Sequence, residues 1–171
     1  MLRSLLLCFG LLCLNLLFAE QEVGIDLKDI SASQHLAKQS EILEDRAGTL
    51  TLEQILEMNF PEQEDFIPAD ADVPYMDFTT SAYWMKLPIE NSSAKERKFY
   101  VELGRPLTNS VEVFLLDSSA EIVRIIKAGD DLPFLDRPYQ HRKFIFPLSF
   151  PAHSKSLLLV RAGSDGEILK L

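Results

Sequence analysis

The chain has 171 residues, 26 acidic and 17 basic, for a formal net charge of −9. That length suits one domain, and the acidity argues against nucleic acid, whose phosphates need clustered Lys and Arg. Its two cysteines, Cys8 and Cys13, both lie near the N-terminus, ahead of the predicted domain.

Residues 1–19 read as a secretory signal peptide. Arg3 supplies the positive start, 5–18 form an apolar run broken by Asn15, and Ala19 precedes Glu20. The run is 14 residues, short of the roughly 20 that a membrane span needs. Export to the periplasm or the cell exterior is therefore expected, with a membrane anchor if the leader is retained. The mature domain, 20–171, then contains no cysteine. It can form neither a disulfide nor a disulfide-linked partner, and it has no thiol nucleophile. A domain of this size buries about 68–70% of its unfolded surface and needs no staples.

Val23, Ile25 and Leu27 alternate and predict a short first strand. Thr51 and Gln54 predict a capping box that opens a helix with Leu52, Ile55 and Leu56 on one side. That helix should end near Asn59, because Phe60-Pro61 cannot continue it, and its apolar stripe should pack on a sheet. Residues 61–80 hold Pro61, Pro68 and Pro74 among Glu62, Glu64, Asp65, Asp70, Asp72 and Asp77, the composition of a long solvated loop.

Strand patterns then recur at 83–90, 98–103, 110–116, 121–128, 143–150 and 156–162. Phe99, Val101 and Leu103 alternate with Tyr100 and Glu102, and Val111, Val113 and Leu115 alternate with Glu112 and Phe114. Turn residues separate the runs at Asn91-Ser92-Ser93, Gly104-Arg105-Pro106, Asp117-Ser118-Ser119 and Pro151-Ala152-His153-Ser154. The spacing predicts an all-β sandwich or jelly roll with one short N-terminal helix. Pro88 and Pro147 cannot donate to a ladder and should mark edges or bulges.

Several phrases, in order, carry a family resemblance. They are ILED and GTLTLEQIL within 42–56, SAYWMKLPIEN at 81–91, FYVELGRPL at 99–107, VEVFLLD at 111–117, GDDLPFLDRP at 129–138, FIFPL at 144–148 and LLLVRAGSDG at 157–166. Together they resemble the second type of extracellular sensory domain of bacterial seven-transmembrane receptors with diverse intracellular signalling modules. The resemblance implies a jelly roll similar to carbohydrate-binding modules, set before seven membrane helices and a kinase or cyclase output. It also implies an extracytoplasmic small-molecule ligand, such as a carbohydrate, and no cofactor. Three departures stand out. Lys86 replaces the usual Arg, a glycine is missing near Phe78, and no membrane helices follow Leu171. The last suggests a truncated receptor or a free-standing relative that works through a membrane signalling partner.

The binding candidates centre on the loop 129–142. Arg137 and Arg142 bracket Pro138-Tyr139 and are placed to clamp a hydroxylated or anionic ligand. The competing expectation is that Arg137 pairs with Asp130, Asp131 or Asp136 to hold its own loop. Phe134, Tyr139 and Tyr75 are loop aromatics suited to stacking, and Arg105 lies in a similar Gly-Arg-Pro turn. Trp84, the sole tryptophan, could stack on a sugar ring, but its strand setting predicts a core position. Asp130, Asp131 and Asp136 match no calcium loop, and His35, His141 and His153 are too dispersed for a metal site. No nucleophile, phosphate-loop or metalloprotease motif occurs. Glu90 and Glu102 are carboxylates that a glycosidase would need to bring together, which nothing in the spacing does. A sensory binding module is the leading expectation. A protein-interaction domain without a small ligand comes second, and a glycoside-active enzyme third.

Overall fold

The computed structural model describes residues 24–58 and 66–171. The predicted leader, Val23 and the helix end near Asn59 lie outside the described residues. In chain order the elements are β1 (Ile25–Asp26), β2 (Glu41–Asp45), α1 (Leu52–Glu57), β3 (Ile67–Pro68), β4 (Tyr75–Phe78), β5 (Ala82–Asn91), β6 (Arg97–Leu103), β7 (Ser110–Asp117), β8 (Ile122–Ala128), β9 (Phe144–Phe150), β10 (Ser154–Gly163) and β11 (Ile168–Lys170).

The fold is an all-β sandwich. One layer is a seven-stranded sheet in the order β3-β2-β5-β10-β7-β8, with β1 added to β5. The pairs are antiparallel except β1–β5. Two antiparallel pairs, β6–β9 and β4–β11, pack on one face of this sheet. Tyr83, Val113, Leu158 and Val160 from the large sheet share that core with Leu103, Phe144, Phe146 and Leu169. On the other face Leu43, Trp84, Phe114, Leu116 and Leu159 pack with Leu52 and Ile55 of α1. The central strands are thus covered on both faces, so β10 reads as the unbroken apolar run Leu157, Leu158, Leu159, Val160 rather than an alternation.

The capping box forms as expected. Thr51 Oγ1 accepts from the Gln54 amide at 3.3 Å, and Gln54 Oε1 accepts from the Thr51 amide at 2.9 Å. The solvated loop predicted for 61–80 needs correction, since β3 and β4 both lie inside it. The first strand is also shorter than expected, because Leu27 opens a 3-10 turn capped by Asp26. Pro147 fits an edge, since β9 pairs only with β6 among the described residues. Pro88 does not, because it lies in a central strand. On the side away from β10, β2 pairs with β5 up to Lys86 and β1 begins at Ile89. Leu87 and Pro88 fall in the gap between these partners, where a ladder donor is dispensable.

Two carboxylates tie distant segments together. Asp26 accepts a 2.5 Å hydrogen bond from the Ser92 hydroxyl and others from the Ser92 and Lys28 amides. The Ser92 hydroxyl above all, then Lys28, holds its carboxyl well below the usual range. The Ser81 hydroxyl, donating at 2.8 Å, is the main cause that lowers Glu44. A carboxylate depressed in the folded state contributes stability above its unfolded value, near about 4, and that contribution is lost as pH falls toward the folded value. The urea midpoint should therefore fall as pH is lowered from about 5 to 3. Ser92→Ala should flatten that fall, and an unchanged acid slope in this variant would refute the assignment.

Candidate functional site

The loop 129–142 is held at its start by the backbone. Gly129 has φ 141°, a conformation that L side chains rarely adopt, and the next two amides donate to Thr108 (3.0 Å) and Asn109 (3.3 Å). Arg137 then closes the loop on itself. Its Nη1 donates to the carbonyls of His141 (2.9 Å) and Arg142 (3.1 Å). Its guanidinium lies 4.5 Å from the ring centre of Phe144 and 5.2 Å from that of Phe134. The expected pairing of Arg137 with Asp130, Asp131 or Asp136 is thus replaced by carbonyls and rings. This arginine organises the loop and is not splayed toward solvent.

The other candidates scatter. Arg105 pairs with Glu167 at 2.8 Å and ties the turn after β6 to the approach to β11. Arg142 and Asp130 are exposed. Trp84 is 1% exposed and stacks on Phe114 with ring centres 5.8 Å apart, so it is a packing residue. Tyr139 is half exposed and meets Tyr100 of β6 edge-on at 5.7 Å. Tyr100, 66% exposed, is not among the site residues that the sequence suggests. Its alternation in β6 turns it outward beside the loop. Tyr75 is exposed on β4, with the Lys170 ammonium 5.6 Å from its ring centre. Among the described residues no group of three His, Cys, Asp or Glu side chains is arranged to hold a metal ion.

Lys86, expected from the sequence to depart from the usual pattern, has a structural setting. Lys86 is 3% exposed, pairs with Glu41 on the neighbouring strand, and lies 4.9 Å from the ring centre of Phe66. Arg161 bridges the same face, donating to the Gly48 carbonyl at 2.8 Å and pairing with Glu112 at 3.6 Å.

A concavity lies beside β6, and no residue of 129–142 lines it. A cleft of about 710 Å³ opens between β6 and the large sheet, within the roughly 300–1,000 Å³ usual for ligand sites. Met85, Leu87 and Ile89 of β5 and Leu158 and Val160 of β10 form an apolar floor. Phe99 and Val101 of β6 are packed against the same core. Polar groups gather at the mouth, including Ser31, Gln34, His35 and Arg97. Arg97 Nη2 donates to the Ile30 carbonyl at 3.1 Å and braces the mouth segment against β6. Sequence reasoning missed this site because its lining comes from distant segments. Residues 31–37 carry no motif, and the floor residues read only as core.

Among the described residues no helix is long and apolar enough to cross a membrane. None of the curated proteins searched matches the chain. A family model for the 7TMR-DISM extracellular 2 domain matches residues 37–169. The match takes in β2 through Leu169 and leaves out β1 and most of the segment at the cleft mouth. The ordered phrases, the sandwich they build and this match agree, and the chain belongs to the 7TMR-DISM extracellular 2 family, extracellular sensory domains of seven-transmembrane receptors.

Proposed function

We propose that residues 20–171 form an exported, non-catalytic sensory module behind a leader at 1–19, and that it binds a small ligand in the cleft beside β6. The module acts on the periplasmic or extracellular face and passes its state to a membrane-embedded signalling partner. The observation that carries this reading is the cleft itself, a concave apolar floor with polar groups at its mouth. The family's sensory role supports it.

A thermal-shift screen of metabolites and sugars tests the reading. At a hundredfold excess over Kd a ligand adds about 2.7 kcal/mol, a rise of roughly 5–10 °C in Tm for a domain of this size. Met85→Trp should fill the floor and weaken binding at least tenfold, whereas Tyr139→Ala should leave it unchanged. A second reading rests on the exposed Tyr100–Tyr139 pair, whose ring faces suit carbohydrate stacking. That reading expects the reverse pattern, with binding lost in Tyr139→Ala and kept in Met85→Trp.

A further inference from the structure

We infer that the cleft takes an extended polypeptide segment, added as a strand to the free edge of β6. The inference rests on the cleft reading above and names the chemistry of its ligand. Two independent features meet there.

The first is an edge. β6 pairs with β9 along its whole length, from Arg97 opposite Phe150 to Leu103 opposite Phe144. Its other edge makes no backbone hydrogen bond to any described residue. Every residue of β6 lines the cleft, whichever way its side chain points, so the backbone edge itself is what borders the cavity. Free N–H and C=O groups along that edge therefore face the opening.

The second feature is the apolar floor. A purely apolar ligand would match it but would strip water from the edge, at about 1–3 kcal/mol for each polar group left unpaired. A sugar would serve the edge but would set hydroxyls against Leu87, Leu158 and Val160. A strand satisfies both, because its backbone pairs with β6 while alternate side chains rest on the floor. β6 has 7 residues, about 23 Å of pairing edge.

Charge sets the orientation. Glu102 is already engaged by Lys143 at 2.5 Å. Lys98, exposed at the opposite end, pairs with no carboxylate among the described residues. Arg97 lies beside it. On a chain of net charge −9 this cationic end selects a segment with an acidic residue opposite Lys98 and apolar residues at every second position.

A phage library of random linear peptides, panned on the full chain, tests the inference. Enriched peptides should show that alternation with an acidic flank. They should bind Met85→Trp at least tenfold more weakly than wild type and lose several-fold on Lys98→Glu. N-methylation of the alternate amides that face β6 should abolish binding, while methylation of the other set should be tolerated. Small molecules that bind in a Met85-sensitive way, with no peptide enriched, would overturn strand addition and leave the cleft reading standing. No Met85-sensitive binder of either kind would overturn both. Equal tolerance of the two N-methylated peptides also overturns strand addition. That comparison needs only the wild-type chain, so it decides the matter even if Met85→Trp fails to fold.

Discussion

Trp84→Ala should lower the unfolding free energy by about 3–5 kcal/mol, the usual cost of truncating a fully buried aromatic. Trp84 lies in the first half of β5, 1% exposed and stacked on Phe114 at an interplanar angle of 18°. Leu43, Leu159 and Ile55 belong to the same cluster, and Arg161, opposite it in register, has its guanidinium 6.0 Å from the ring centre. Removing the indole opens a cavity that both the sheet and α1 must tolerate. Equilibrium urea unfolding reads the loss, with a Tm drop of roughly 6–20 °C alongside it. Trp84→Phe separates packing from contact. It keeps most of the ring area and removes an indole N–H that has no partner among the described residues. Its cost should stay below about 2 kcal/mol, with ligand affinity unchanged. A variant that folds as stably as wild type but no longer binds ligand would return Trp84 to the site.

Gly129→Ala should cost about 3 kcal/mol, a Tm loss of roughly 6–12 °C. A Cβ at this position would stand 2.0 Å from the Asn109 carbonyl oxygen and 2.8 Å from its carbon. Both are backbone atoms, so no side-chain rotation relieves the clash, and φ of 141° adds strain for any L side chain. The loop 129–142 is zipped to Thr108 and Asn109 immediately after this glycine. The substitution should therefore loosen the loop as well as lower stability, read as faster amide exchange at Asp130 and Asp131. Wild-type stability in Gly129→Ala would mean that the close approach to Asn109 is not a feature of the folded state.

The strands that alternate or run apolar were legible because burial writes a period of two, or a continuous run, into the sequence. β5, β6, β7, β9 and β10 all belong to this class. β2, β4 and β11 were not recognised. β4 is largely exposed, and β11 has three residues with only Leu169 buried, so their partners and not their own patterns define them. Trp84 was correctly expected in the core. Arg137 was placed in the right loop with the wrong partners, because its carbonyl and ring contacts depend on how the loop closes. The cleft was invisible for a related reason. It arises where β6 has no second strand neighbour among the described residues, and such a gap leaves no mark on the residues of the strand itself.

Backbone amide shifts, followed by heteronuclear NMR as the strongest binder from the screen is added to the full chain, locate the ligand directly. Binding in the cleft predicts changes concentrated at residues 31–37 and 97–103, with 129–142 unmoved. Changes concentrated at 129–142, with 97–103 unmoved, would contradict it and place recognition on the loop that Arg137 holds together.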